Sequence, residues 1–341
     1  MDANREQPTR VRARLEDVAR LSGVSAKTVS RVFSGSSNVS AATRAKVLEA
    51  AGQLRFRPNT LARDLRRGGV TNTVAFVIGD IRNQFYFHVA AGIEQELSER
   101  GFTMLLATTD DSAESEARVV DILLAQRVRA LLLIPIAGNQ GYLEGERQLG
   151  TPIVGVDRPP TDLVADTVVL ANRTGMAEAV RSLTALGHRR IGFVSNPSAI
   201  FTVAERLRGY RQALREVGIT QTQQWERLHD DPAISTQEAV CSLLQSADPP
   251  TAIVTGNNRA TAGAMHELRD RHEEIALIGF DDFELADMLG ISVVAYDTMA
   301  IGRAAARLAL ERIDSPTAPT RHIEIPTHLV HRGSGEIPPP R

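Results

Sequence analysis

The chain has 341 residues, 43% hydrophobic and 23% charged, with a net charge of −2; this balance suits two or three folded units and excludes a disordered polyelectrolyte. No apolar run approaches the roughly 20 residues of a membrane span. Met1–Arg14 carries four arginines and no apolar segment, so no secretory signal is expected, and the single cysteine, Cys241, has no internal disulfide partner. The expected compartment is a reducing cytoplasm. The charge is unevenly spread: residues 1–68 hold 14 Lys/Arg against 6 Asp/Glu, the remainder 25 against 35. A basic first fifth on an acidic body points to a nucleic-acid module joined to a part that avoids nucleic acid.

After a basic arm, residues 1–13, helical periodicity begins with Leu15, Val18 and Ala19. Gly23 suits a tight turn with positive φ, and Ser25 can cap the next helix. There Val29, Val32 and Phe33 fall on one side, while Lys27, Ser30 and Arg31 face the other way. A third helix is expected from Ser40, packing through Val47, Ala51 and Leu54. Helix, glycine turn and a second helix with a polar outer face predict a helix-turn-helix headpiece over 14–57. Pro58-Asn59 can then start a helix that Gly68-Gly69 stops after about two turns. So short a helix is marginal alone and is expected to order on DNA or against a dimer partner.

From Thr73 strands and helices alternate. Strands are expected at Val74–Gly79, Thr103–Ala107, Ala130–Ile136, Ile153–Val156, Ile191–Ser195, Ala252–Thr255 and Ala276–Gly279. Helices are expected between them, at Ala90–Arg100, Glu114–Arg127, Met176–Leu186 and Ala260–His272, and a capping box at Ser235-Thr236-Gln237-Glu238 opens another. Continuous apolar strands between helices imply parallel sheets covered on both faces. Two such blocks, divided near residue 171, give two Rossmann-like subdomains with a ligand cleft beyond the carboxyl ends of the strands.

The literal residues carry a resemblance. Leu15-Glu16-Asp17-Val18-Ala19-Arg20, Gly23-Val24-Ser25, Thr28-Val29-Ser30-Arg31-Val32, Asn38-Val39-Ser40, Thr43-Arg44, Arg57-Pro58-Asn59 and Leu61-Ala62-Arg63 resemble the headpiece and hinge of the LacI/GalR family. In the body, Asp80-Ile81-Arg82-Asn83-Gln84-Phe85-Tyr86, Val156-Asp157-Arg158-Pro159, Glu205-Arg206-Leu207-Arg208-Gly209-Tyr210 and Gly279-Phe280-Asp281-Asp282 are also similar to that family. The resemblance implies an all-α headpiece on a periplasmic-binding-protein-like α/β effector domain. It further implies that Ala26, Lys27 and Arg31 read base edges, with Lys27 open to a base or a phosphate. Ser25, Thr28, Asn38 and Thr43 would hold phosphates. Asn59, Ala62, Arg63 and Leu65 would occupy the hinge, with Leu65 wedged into the minor groove. Phe85, Tyr86, Asp157, Arg206, Asn257 and Asp281 would line the effector cleft. For Phe85 and Tyr86 ordinary core packing is the alternative; for Arg206 and Asp281 it is a buried ion pair spanning the cleft.

Several residues depart from the family pattern. Arg14 stands where a capping Thr or Ser is usual, and Asp64 puts an acidic residue beside the wedge. Gln84 replaces a proline, Ala171 an Asp, and Asn258 the second residue of an Asn-Asp pair. Asp297-Thr298 replaces Gln-Pro, and Pro232 lies near where a stacking aromatic can occur. These substitutions argue against an ordinary hexose, and the effector is left open among a sugar acid, pentose, nucleoside or other small metabolite.

The expected organisation adds a hinge and linker at 58–69, an effector domain at 70–335 and a tail at 336–341. Its N-subdomain would comprise about 70–170 and 299–326, its C-subdomain about 171–298 and 327–335. No P-loop, G-x-G-x-x-G after the first strand, G-x-S-x-G or H-E-x-x-H motif occurs, so an enzyme, a cofactor and a metal are not expected. The expected partners are double-stranded operator DNA, a small carbohydrate-like effector and a second copy of the chain, with no membrane. Two headpieces on a pseudo-palindrome call for a two-fold dimer, and the Gly- and Pro-rich end suggests no tetramerising helix.

Overall fold

The computed structural model describes residues 13–34, 36, 38–57, 71–136, 138–195, 199–228, 235–269 and 274–340. Two compact units emerge, residues 1–71 and 72–341. The hinge residues Asn59, Ala62, Arg63, Asp64 and Leu65, and Pro232, lie outside the described residues.

The first unit holds α1 (Leu15–Ser22), α2 (Ala26–Phe33) and α3 (Ala41–Gln53). Its core is Val18, Val29, Val32, Val47, Ala50 and Ala51, with Phe33 and Phe56 rings 5.5 Å apart at its edge. Gly23 ends α1 at φ 69°, a left-handed conformation that glycine adopts without a Cβ penalty. Although Arg14 offers no acceptor, the start of α1 is capped: the Asp17 carboxylate accepts the Arg14 backbone N–H at 2.9 Å. Glu16 and Asp17 also place negative charge in the first turn. Ser25 and Ser40 cap α2 and α3 through the N–H groups of Thr28 and Thr43.

The second unit is two six-stranded sheets built alike. One contains β1 (Thr73–Ile78), β2 (Thr103–Thr108), β3 (Ala130–Leu133), β4 (Ile153–Asp157), β5 (Asp166–Leu170) and β11 (His322–Ile325), in the order β11-β5-β4-β3-β1-β2. The other contains β6 (Ile191–Ser195), β7 (Glu226–Leu228), β8 (Ala252–Thr255), β9 (Ala276–Phe280), β10 (Ser292–Ala295) and β12 (His328–Val330), in the order β12-β10-β9-β8-β6-β7. All pairs are parallel except β10 with β12. The two orders correspond strand for strand, and Phe76 and Phe193 are fully buried at matching registers.

The helices repeat as well. In the first half β1 leads into α4 (Gln84–Glu99), β2 into α5 (Ala113–Ala125), and β3 into the short α6 (Glu144–Gln148). In the second half β6 leads into α8 (Phe201–Glu216), β7 into α9 (Thr236–Leu244), and β8 into α10 (Asn258–Leu268). The helices after β5 and β10 exchange halves: α7 (Asn172–Ala185) packs on α8, and α11 (Thr298–Asp314) packs on α4. Each exchange is tight. A Cβ on Gly92 of α4 would lie 2.2 Å from the Met299 carbonyl oxygen, and one on Gly209 of α8 would lie 2.2 Å from that of Arg173. The halves are thus joined by three chain crossings among the described residues, near 171, 296 and 326. The first and third bond to each other, Ala171 N–H to the Ile325 carbonyl at 3.0 Å.

Sequence periodicity set several bounds wrongly. The expected helices at Ala90 and Met176 begin at Gln84 and Asn172: the added first turn of α4 is largely aromatic, with Phe85 and Tyr86 lining the cleft, and that of α7 is polar, so neither continues the apolar periodicity of its helix. The strand expected to reach Ile136 ends at Leu133.

Candidate functional site

On the headpiece, Lys27 and Arg31 lie one turn apart on α2 and are exposed, with Ser30 beside them, while Ala26 is half-buried. They oppose the buried Val29 and Val32. Ser25 and Thr28 hydroxyls bond each other at 2.9 Å at the start of α2, and Thr43 pairs likewise with Ser40 at 2.9 Å. Asn38 is exposed between α2 and α3. The connection is clipped by Arg44, whose guanidinium donates to the Ser36 carbonyl at 2.8 Å and the Val32 carbonyl at 3.3 Å. Arg44 therefore holds the loop, and no spacing in the sequence distinguishes it from a phosphate-binding arginine.

In the body, a cavity of about 330 Å³ opens between the halves at the carboxyl ends of the strands. Phe85, Tyr86, Asp157, Arg206, Asn257 and Asp281 all line it, with Asp80, Asn83, Asp111, Arg158, Asn258, Arg259 and Tyr296. Asp157 ends β4 and Asp281 follows β9, at matching positions of the two halves, and both are left-handed, with φ 68° and 74°. That conformation costs roughly 1 kcal/mol for a side-chain-bearing residue. Here it turns each carboxylate off its strand end towards the cavity.

Arg206 is the fixed point of the second half. It is 4% exposed, its Nε donates to Asn172 Oδ1 at 2.7 Å, and its Nη1 donates to the Gly256 carbonyl at 2.5 Å. The guanidinium carbon lies 3.7 Å over the Phe280 ring centroid, and Nη2 is 3.5 Å from Asp281. This ion pair does not span the cleft, as the alternative reading had it, because both partners belong to the second half. Asn172 earns its place by accepting from Arg206, so Ala171 leaves α7 without a side-chain cap but not without its anchor. Asn257 caps α10 by accepting the Ala260 N–H at 2.8 Å. Asp297 caps α11 through Ala300 N–H.

Asp157 differs from Asp281. Asp281 accepts from the Tyr296 hydroxyl at 2.7 Å and from the Asn258 N–H at 3.3 Å. Asp157, only 5% exposed, has Arg158 Nε at 3.6 Å as its ion-pair partner, and that Nε is itself buried without a hydrogen bond. Burial pushes the Asp157 carboxyl above the ordinary carboxylate range despite Arg158 and Arg206, and Asp281 adds to the rise. Burial also raises the Tyr86 hydroxyl to about 12. Phe85 stacks edge-on to Tyr86 at 5.5 Å and to Tyr296 at 6.2 Å, so aromatic walls meet across the cavity. A carboxylate and a guanidinium nitrogen left short of partners, beside aromatic faces, suit a guest whose hydroxyls both donate and accept. Tyr296 and Arg259 were missed by sequence reasoning; a Tyr just before the flagged Asp297-Thr298 was the available signal for the first. His322 and His331 are engaged separately, with Thr167 and Glu336, and no group of metal-ligating residues occurs among the described residues. Nor is any described helix long and apolar enough to cross a membrane.

Comparison with known proteins adds the family. Residues 14–59 match the model of bacterial regulatory proteins of the lacI family, and residues 71–333 match that of periplasmic binding proteins and the sugar binding domain of the LacI family. Catabolite control protein A of Priestia megaterium is 30% identical over 325 residues, covering 93% of this chain and 98% of its own. The ribose operon repressor of Escherichia coli K12 is 31% identical over 329 residues, covering 94% and 99%. Among solved structures, the transcriptional regulator CelR in complex with cellobiose is 32% identical, covers 95% of this chain and 100% of its own, and superposes with a TM-score of 0.70. With both modules matched in order along nearly its whole length, the chain belongs to the LacI family of bacterial regulatory proteins.

Proposed function

We propose that this protein is a sequence-specific transcriptional repressor. It binds a pseudo-palindromic DNA operator as a homodimer, and a carbohydrate-like effector entering the cleft changes its affinity. The observation that carries the reading is the pairing on one chain of an outward Lys27–Arg31 face on α2 with a carboxylate-rich cleft between two joined halves. In this reading Arg31 reads a guanine edge, Lys27 a base or phosphate, and Ala26 a thymine methyl. Ser25, Thr28, Asn38 and Thr43 grip phosphates and set register. Asn59, Ala62, Arg63 and Leu65 form the minor-groove hinge. Phe85 and Tyr86 receive an apolar sugar face, while Asp157, Arg206, Asn257 and Asp281 bond hydroxyls. The relatives named for a ribose operon and for cellobiose support a carbohydrate effector.

In this reading the cavity binds its guest without turnover, in keeping with a family of regulatory proteins. The site of action is the cytoplasmic nucleoid. Because the effector can shift DNA affinity only as far as it discriminates between two cleft states, its size of effect reports their difference.

Selection from a random duplex pool by the full-length protein, at near-physiological salt, tests the reading. The expected product is a two-fold-symmetric site with a deformable centre. That site then reports on a panel of mono- and disaccharides, sugar acids and nucleosides. A folded protein that recovers no symmetric sequence, with or without the panel, sinks the DNA-binding assignment.

A further inference from the structure

The two halves touch across the cleft through a pair of side chains outside the aromatic walls. Asp80, in the turn after β1 of the first half, bonds Arg259 Nη2, in the first turn of α10 of the second half, at 2.5 Å. The Asp80 side chain is 6% exposed and that of Arg259 is 53% exposed. Asp80 is preset for this contact. Its Oδ1 already accepts from the backbone N–H and Nε of Arg82, both at 2.9 Å, which leaves Oδ2 aimed at Arg259. The Arg82 and Arg259 hydrogen bonds hold its carboxyl well below the usual range, so it stays ionised.

A second bond runs beside the first, Asn258 Nδ2 donating to Asn83 Oδ1 at 3.4 Å. An aspartate at 258 would instead set a carboxylate against the Asn83 carbonyl oxygen, close to Asp281, which accepts the Asn258 N–H. The amide at this position is thus compatible with closure where a carboxylate would oppose it.

Position makes the contact matter. The halves are joined at the β5 and β11 edge, and β1 lies three strands away, roughly 14 Å along the sheet. A bond at that distance from the crossings has leverage against opening that a bond beside them lacks. We propose that Asp80 and Arg259 form an ion-pair latch that holds the two halves shut. Given the effector reading of the cleft, the same latch sets how long a guest stays inside.

Amide hydrogen exchange on the full-length, ligand-free protein tests this, at 50 and 500 mM NaCl. Arg259→Ala should speed exchange about five-fold around residues 80–86 and 257–261, with the strand amides unchanged. High salt should produce a similar rise in the wild type and little further rise in the variant. Arg259→Lys, which keeps the charge, should fall between. Equal exchange in wild type and Arg259→Ala, or acceleration spread evenly over both sheets, overturns the latch. If the latch breaks as expected but no saccharide moves operator affinity, the effector reading fails and the latch stands.

Discussion

Arg31 is held outward by a two-turn helix whose other face is locked by Val29 and Val32, so its removal should leave the headpiece folded. Arg31→Ala is expected to relax preference at one half-site position, by about 1–3 kcal/mol of discrimination, measured as binding to single-base operator variants. A uniform loss on all sequences would make it a phosphate contact. A second residue reports on pH. His188 is fully buried, Nδ1 2.8 Å from Thr251 Oγ1 and Nε2 2.8 Å from the Ile337 carbonyl, which must accept and so fixes the proton on Nε2. Burial lowers its pKa below the ordinary 6.5. The unfolded chain therefore takes up the proton first, and the stabilisation is whole above 6.5 and drains away as pH falls below it. Melting of the wild type should fall more steeply between pH 7.5 and 5.5 than that of His188→Gln; parallel slopes would refute the assignment. The polar face of α2 and the six cleft residues were legible because each sits in a locally matching run of sequence. Arg259 was not, since its meaning lies in Asp80, 179 positions away, and no local pattern links the two.

At the scale of elements, the buried parallel strands were readable as apolar runs, and the capping box at Ser235 forms as its spacing suggests. What escaped was short or amphipathic. β5, β7, β10, β11 and β12 span three to five residues each, and their existence depends on a neighbour far along the chain, not on periodicity. The exchanged helices make a sharper point about glycine. Gly209→Ala drives a methyl into the Arg173 carbonyl and should cost about 1–3 kcal/mol of body stability in urea titration. Gly52, in α3 with nothing within 4 Å of its missing Cβ, should instead gain roughly 0.5–1 kcal/mol as alanine, through helix propensity. Equal effects at the two sites would mean that backbone contact does not govern either.

At the scale of the molecule, the two compact units differ greatly in core. Six buried residues carry the headpiece, whereas each half of the body buries entire strands. Calorimetry of the full-length chain should show two transitions, the headpiece melting first and shifting upward alone when operator-length duplex is added. One cooperative transition would show the units to be energetically coupled. The three crossings that join the halves of the body carry a further meaning. They run side by side, Ala171 bonded to Ile325 and β10 paired with β12, so none can lengthen or twist without the others. Such a joint resists sliding more than it resists rotation about a line through the crossings. An occupant of the cavity would then be registered chiefly as an angle, a single scalar, which is the simplest quantity a protein can pass along.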